Sequence, residues 1–93
     1  MPKRYISEEQ FKKIITALGI EYLGVTKAGE PRLRYGKKEF TVSRKTDEGY
    51  KLDVVRKILD NVKIEKAVEE RKSPGEVYHA LVKQIKEIVG ADF

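Results

Sequence analysis

Arg32 and Arg34 stand two residues apart in the segment Arg32-Leu33-Arg34-Tyr35, and the segment Phe40-Thr41-Val42-Ser43 offers two hydroxyls at the same spacing. In a strand, that spacing puts alternate side chains on one face. The guanidinium groups and hydroxyls are therefore expected to share a surface, with Leu33 and Tyr35 turned toward a core. Guanidinium forks grip phosphate oxygens bidentately and hydroxyls add donors, which suits the backbone of a nucleic acid. Lys37 and Lys38 in the next turn, and Arg44 and Lys45 beyond Ser43, extend the positive field. Tyr22 is expected on the same face, where its ring could stack on a base or sugar. The plainer reading of these residues is a solvated sheet whose arginines pair with cross-strand glutamates such as Glu39.

The charge supports the sharper reading. The formal net charge is +5, and residues 27–57, with ten bases and five acids, carry all of it; residues 1–26 contribute +1 and residues 58–93 contribute −1. A local excess of this kind points to a polyanionic partner, DNA or RNA, bound with strong salt dependence.

Other chemistry finds little support. The chain has no cysteine, which removes thiolate catalysis, disulfides and cysteine zinc sites and fits a reducing, cytoplasmic setting. It has no apolar run long enough to span a bilayer and no secretion signal, so no membrane partner is expected. The single histidine, His79, follows Glu76 by three residues and would supply too few ligands for a metal on its own. There is no glycine-rich phosphate loop and no serine near a histidine, so no catalytic residue, metal or cofactor is assigned. Asp47, Glu48 and Asp53 would carry the remaining enzymatic alternative, a small metal-dependent nuclease. Lys (14) and Glu (11) dominate the polar residues while Asn and Gln together number three, a composition typical of proteins from hot environments.

These residues need a scaffold, and 93 residues make one domain. Ser7 and Gln10 form a capping-box spacing, the stripe Phe11, Ile14, Ile15, Leu18 follows, and Gly19 ends the first helix. Strands are expected at Glu21 to Thr26, Arg32 to Tyr35 and Lys38 to Ser43, joined by Ala28-Gly29-Glu30 and Gly36-Lys37 as a three-stranded antiparallel meander. Leu52, Val55, Ile58, Leu59 and Val62 predict a second helix over about 51–61. The charged run from Ile64 to Lys72 reads as either helix or linker, and Ser73-Pro74-Gly75-Glu76 opens a final helix that stops at Gly90. The fold class is α+β: a basic α-β-β-β-α segment, residues 1–62, and a helical extension, residues 63–93, in one structural unit.

The helix end Phe11-Ile14-Ile15-Leu18-Gly19, the strand containing Gly24, the basic hairpin, Phe40-Thr41-Val42 and Val54-Val55-Arg56-Lys57-Ile58-Leu59 together resemble the HicA toxin family, small proteins of double-stranded-RNA-binding-domain type. The resemblance covers about residues 8–62. It implies RNA as a substrate and a catalytic histidine after a glycine of the first strand, but here Gly24 is followed by Val25 and Thr26. It therefore implies an RNA- or DNA-binding relative without nuclease activity.

The last helix carries Val77, Tyr78, Leu81, Val82, Ile85, Ile88 and Val89, a stripe wider than one small sheet covers. Its two expected uses are pairing with a second copy, which defines a protein-interaction or assembly module of antitoxin type as the alternative function, and folding back to complete the core.

Overall fold

The computed structural model describes residues 5–90; the outermost parts of the two expected segments, 1–4 and 91–93, lie outside the described residues. In chain order the elements are β1 (Tyr5–Ile6), α1 (Glu8–Leu18), β2 (Glu21–Val25), β3 (Pro31–Tyr35), β4 (Lys38–Thr41), β5 (Tyr50–Lys51), α2 (Leu52–Glu70) and α3 (Pro74–Val89). The fold is α+β, with the antiparallel meander β2-β3-β4 and a short second ladder in which β1 pairs with β5.

Local chemistry sets most boundaries. The Ser7 hydroxyl accepts from the Gln10 amide at 3.1 Å, and the Gln10 side chain accepts from the Ser7 amide at 3.0 Å, so both ends of the capping box close. Gly19 ends α1 in the left-handed conformation, its amide reaching back to the carbonyls of Ile15 and Thr16. Ser73 caps α3 through the Glu76 amide, with Pro74 in the first turn. The charged run after Ile64 is helical: α2 continues to Glu70, past the expected end near residue 61. Val62 and Ala67 are both buried on this one helix, which runs on across residues 62 and 63.

The core lies between the sheet and the helices. Leu33 and Tyr35 on β3 alternate with exposed Arg32 and Arg34, and the buried face meets Val54, Val55, Ile58, Leu59 and Val62 of α2 and Phe11, Ile14, Ile15 and Leu18 of α1 in one cluster. Helix α3 packs on α2 and α1 within the chain. Of the two expected uses of its stripe, the fold shows the folding back: Val77, Leu81, Ile85 and Val89 are buried in the chain's own core, and Tyr78, Val82 and Ile88 lie half-buried against it. The stripe is wide because α3 has two helices to cover.

The ladder β1–β5 was not expected from sequence and ties the start of the chain to the start of α2. Ile6 faces Tyr50 across it, and Tyr50 stacks on Phe11 with ring centroids 4.1 Å apart. The turn before β5 demands a glycine: Gly49 has φ of 119°, and a Cβ there would lie 2.3 Å from the Ile6 carbonyl oxygen. Gly24 has a similar φ of 115° with nothing within 4 Å. Replacing either by alanine strains the backbone by about 1–3 kcal/mol. Only Gly49→Ala also drives a methyl group into main-chain atoms, so denaturant unfolding should show it less stable than Gly24→Ala by roughly 2 kcal/mol. Equal losses would contradict this account of the β1–β5 contact.

Candidate nucleic-acid interface

The antiparallel register decides which side chains share a face. Arg34 lies between Glu21 and Glu39 on its two neighbours, and Arg32 between Gly24 and Thr41. This side of the sheet is exposed at Arg32, Arg34, Glu21 and Glu39, so the two arginines do stand outward as their spacing predicts. They do not stand alone. Arg34 donates to Glu21 through Nε at 3.1 Å and Nη2 at 2.5 Å, and Arg32 donates to Glu39 at 3.1 Å. The face is a row of two cations and two anions with no net charge. Such exposed pairs are worth about 0–1 kcal/mol each, so they orient the guanidinium groups without locking them.

The other expected contacts fall in different places. Lys37 and Lys38 sit at the β3–β4 turn, where a Cβ at Gly36 would lie 3.8 Å from Glu65 and 3.9 Å from Glu69 of α2. Nearby, the Tyr35 hydroxyl donates to Glu69 at 3.2 Å. Burial first, and then Glu69, push that hydroxyl's pKa up. Glu65 and Glu69 therefore lie near this turn, while Lys37 and Lys38 themselves have no ion-pair partner among the described residues. Tyr22 is a correction: it pairs with Leu33, which places it on the helix side of the sheet, opposite to Arg32 and Arg34. A bulge between Tyr22 and Gly24 shifts the register, so the alternation in β2 does not run through the strand.

Arg44 and Lys45 lie at the other end of the hairpin, about 17 Å along β3 from the lysine turn. There the segment after β4 meets the β2–β3 turn and the start of α2. Ala28, Glu30, Ser43, Arg44, Thr46 and Lys51 line an open groove of roughly 470 Å³. A Cβ at Gly29 would meet the Arg44 side chain at 4.0 Å, which brings the turn carrying Lys27 beside Arg44. Thr26 closes that turn, its hydroxyl accepting from the Glu30 amide at 3.2 Å and its carbonyl from the Gly29 amide at 2.9 Å. Lys27, Arg44 and Lys51 have no carboxylate partner among the described residues. Lys51 is also the N-cap of α2 and, unlike Ser7 and Ser73, supplies no side-chain acceptor; the positive end of this 19-residue helix adds to the field, and Asp53 in its first turn offsets it. Glu30 opposes it from within the groove.

Lys51 escaped notice as a site residue because β5 positions it; the ten-base window 27–57 was its only trace in the sequence. Lys45 is engaged differently. Its ammonium lies 3.2 Å from Glu8 at the start of α1. The hydrogen bond from Lys45 first, then the charges of Lys45 and Lys12, hold the Glu8 carboxyl below its ordinary 4.5. Asp47 and Glu48 occupy the turn Thr46 to Gly49, whose Thr46 hydroxyl accepts from the Glu48 amide at 3.2 Å. Asp53 lies 3.7 Å from Arg56. Among the described residues no three His, Asp or Glu side chains come together to hold a metal ion, and no helix is long and apolar enough to cross a membrane. His79 is exposed beside Tyr78, whose ring lies 5.2 Å under the Lys63 ammonium.

Comparison with known proteins finds no matching family model, no matching curated protein and no matching solved structure.

The Glu8–Lys45 pair has a pH signature with a definite sign. A carboxyl depressed in the folded state contributes stability that is present above its ordinary value and is lost as pH falls through the folded one. Unfolding titrations at stepped pH should show Lys45→Met slightly less stable than the native chain above pH 4.5, with the two converging as acid protonates Glu8. A gap that persists unchanged into strong acid would show that Lys45 contributes through packing of its stem instead.

Proposed function

We propose that this chain is a non-catalytic nucleic-acid-binding domain, and that it holds the phosphate backbone at the end of the sheet where Arg44 and Lys51 line the groove and the Lys27 turn lies beside them. One observation carries the reading: these cations have no carboxylate partner among the described residues and meet at one groove, while the arginines of the outer face are paired and the equally unpaired Lys37 and Lys38 lie near Glu65 and Glu69 of α2. Ser43 in the same groove offers a hydroxyl donor, whereas the Thr46 hydroxyl already donates to the Gly49 carbonyl at 2.9 Å, and Arg44 can present a planar fork to two phosphate oxygens. The outer face plays the flanking part. Its weak ion pairs can open to a phosphate once one is bound nearby, so Arg32 and Arg34, with Lys37 and Lys38 further along, extend the contact along a long polyanion.

Fluorescence anisotropy with labelled DNA and RNA oligonucleotides at graded salt tests the site. Affinity should fall steeply as salt rises, and each cation lost from the groove should flatten the slope of log K against log salt by about one unit. Combining Arg44→Ala with Lys51→Ala should weaken binding more than combining Arg32→Ala with Arg34→Ala. Glu30→Gln, which removes the groove's own negative charge, should strengthen it. A ranking in which the outer-face pair matters most returns the site to the outer face. Absence of salt-sensitive binding to any oligonucleotide removes the function.

A further inference from the structure

The free edge of the sheet carries an apolar surface that neither the core nor the cation groove uses. In β2, Tyr22 pairs with Leu33 and Val25 pairs with Pro31. The register therefore puts both on the helix side of the sheet, two pairing positions apart on β3, or about 6.6 Å. Their partners Leu33 and Pro31 are buried, yet Tyr22 is 50% exposed and Val25 57% exposed. The core covers the β3 column and leaves these two edge side chains half open. Packing accounts for neither residue, and an aromatic and a β-branched side chain left uncovered side by side form a small platform.

Its surroundings are charged. The turn bearing Lys27 begins one residue beyond Val25 and lies against Arg44. At the Tyr22 end, the Tyr50 hydroxyl is pushed up by burial first, then by Glu8 and by Tyr22. Glu8 is itself neutralised by Lys45 at 3.2 Å. Glu21, beside Tyr22 in the chain, is engaged by Arg34 on the opposite face. The platform thus has the Lys27 turn and Arg44 at its Val25 end. Cations bordering an aromatic surface match a chain of phosphates whose bases are free to turn inward.

We infer that this edge stacks unpaired bases, one on the Tyr22 ring and the next against Val25, while the bordering cations hold the phosphates, so the ligand class is single-stranded nucleic acid. The inference rests on the polyanion reading above and narrows it. A duplex keeps its base faces against one another and offers an edge strand only groove edges and phosphates. A single strand exposes those faces, and stacking on an aromatic side chain is sequence-tolerant because every base has one.

The deciding comparison is between an oligothymidylate and an abasic strand of equal length, which has the same phosphates and no bases, with a duplex as the third probe. Anisotropy at moderate salt should show the oligothymidylate bound about tenfold more tightly than the abasic strand. Tyr22→Ala should erase that difference while leaving the salt slope unchanged, and Tyr22→Phe should preserve it, since the ring and not the hydroxyl does the stacking. Equal binding of the two strands, or indifference to Tyr22→Ala, overturns the stacking platform and leaves the polyanion reading intact. Failure of every probe to bind overturns both. If Tyr22→Ala instead abolishes a concentration-dependent doubling of mass in sedimentation and leaves oligonucleotide binding alone, the edge pairs with a second copy and the inference is wrong.

Discussion

The architecture depends on the buried stripe of α2. Val54, Val55, Ile58, Leu59 and Val62 are each at most 2% exposed, and this helix contacts β4, β5 and α3. Burying five such side chains provides roughly 1.5–3 kcal/mol each before conformational entropy is subtracted. The sheet must present Leu33, Tyr35 and Val42 to that stripe, which fixes the pleat of β3 and, with it, the outward direction of Arg32 and Arg34. It also recruits α3: a 19-residue helix has more apolar surface than a three-stranded sheet covers, and Val77, Leu81, Ile85 and Val89 close the remainder. Exposure of the outer sheet face follows, because all three helices lie on the other side.

An uncovered sheet face in water has its own requirements. Antiparallel register places directly opposite residues within a few ångströms, so a strand with two outward arginines would suffer like-charge repulsion along its length unless neighbours supplied acids. Glu21 and Glu39 meet that need. The consequence for recognition is that cations on the regular part of the sheet are balanced by the pattern that makes the sheet stable, whereas cations on turns have no cross-strand neighbour to neutralise them. Within residues 27–57 the cations left without a carboxylate partner among the described residues include Lys27, Lys37, Lys38, Arg44 and Lys51, at turns and strand ends.

Much of this was legible in the sequence, and the failures have physical causes. Ser7 with Gln10, Gly19, and Ser73 with Pro74 mark helix ends by hydrogen bonds made within four residues, so local spacing suffices to read them. The extension of α2 was harder: between Ile64 and Glu70 only Ala67 is buried, and the helix ends at Arg71 in a left-handed conformation, with φ of 56°, that carries no glycine signal. What holds that last stretch is non-local, including Glu69 accepting from Tyr35, 34 residues away. The β1–β5 ladder is non-local too, and two-residue strands have no periodicity to detect. Tyr22 fell on the unexpected face because one bulged residue inverts every inference from alternation beyond it. Of the candidate site, the arginines' direction was readable but their pairing was not, since partner choice depends on register.

The edge strand β2 raises a separate question of design. A free edge invites pairing with another chain, and proteins blunt it by shortness, by bulges and by charge. β2 uses all three: it has five residues, a bulge at Leu23 and Gly24 with Gly24 at positive φ, and Glu21 and Lys27 at or just past its ends. A strand protected this way gains nothing from also exposing a tyrosine and a valine, because the same protection would be better served by polar residues at both positions. The bulge in addition turns Val25 and Tyr22 to one side while leaving Gly24 to cross beneath Arg32 with no side chain of its own. That combination disfavours a β-partner and keeps an apolar surface accessible, which is the arrangement expected of an edge that meets flat rings rather than another backbone.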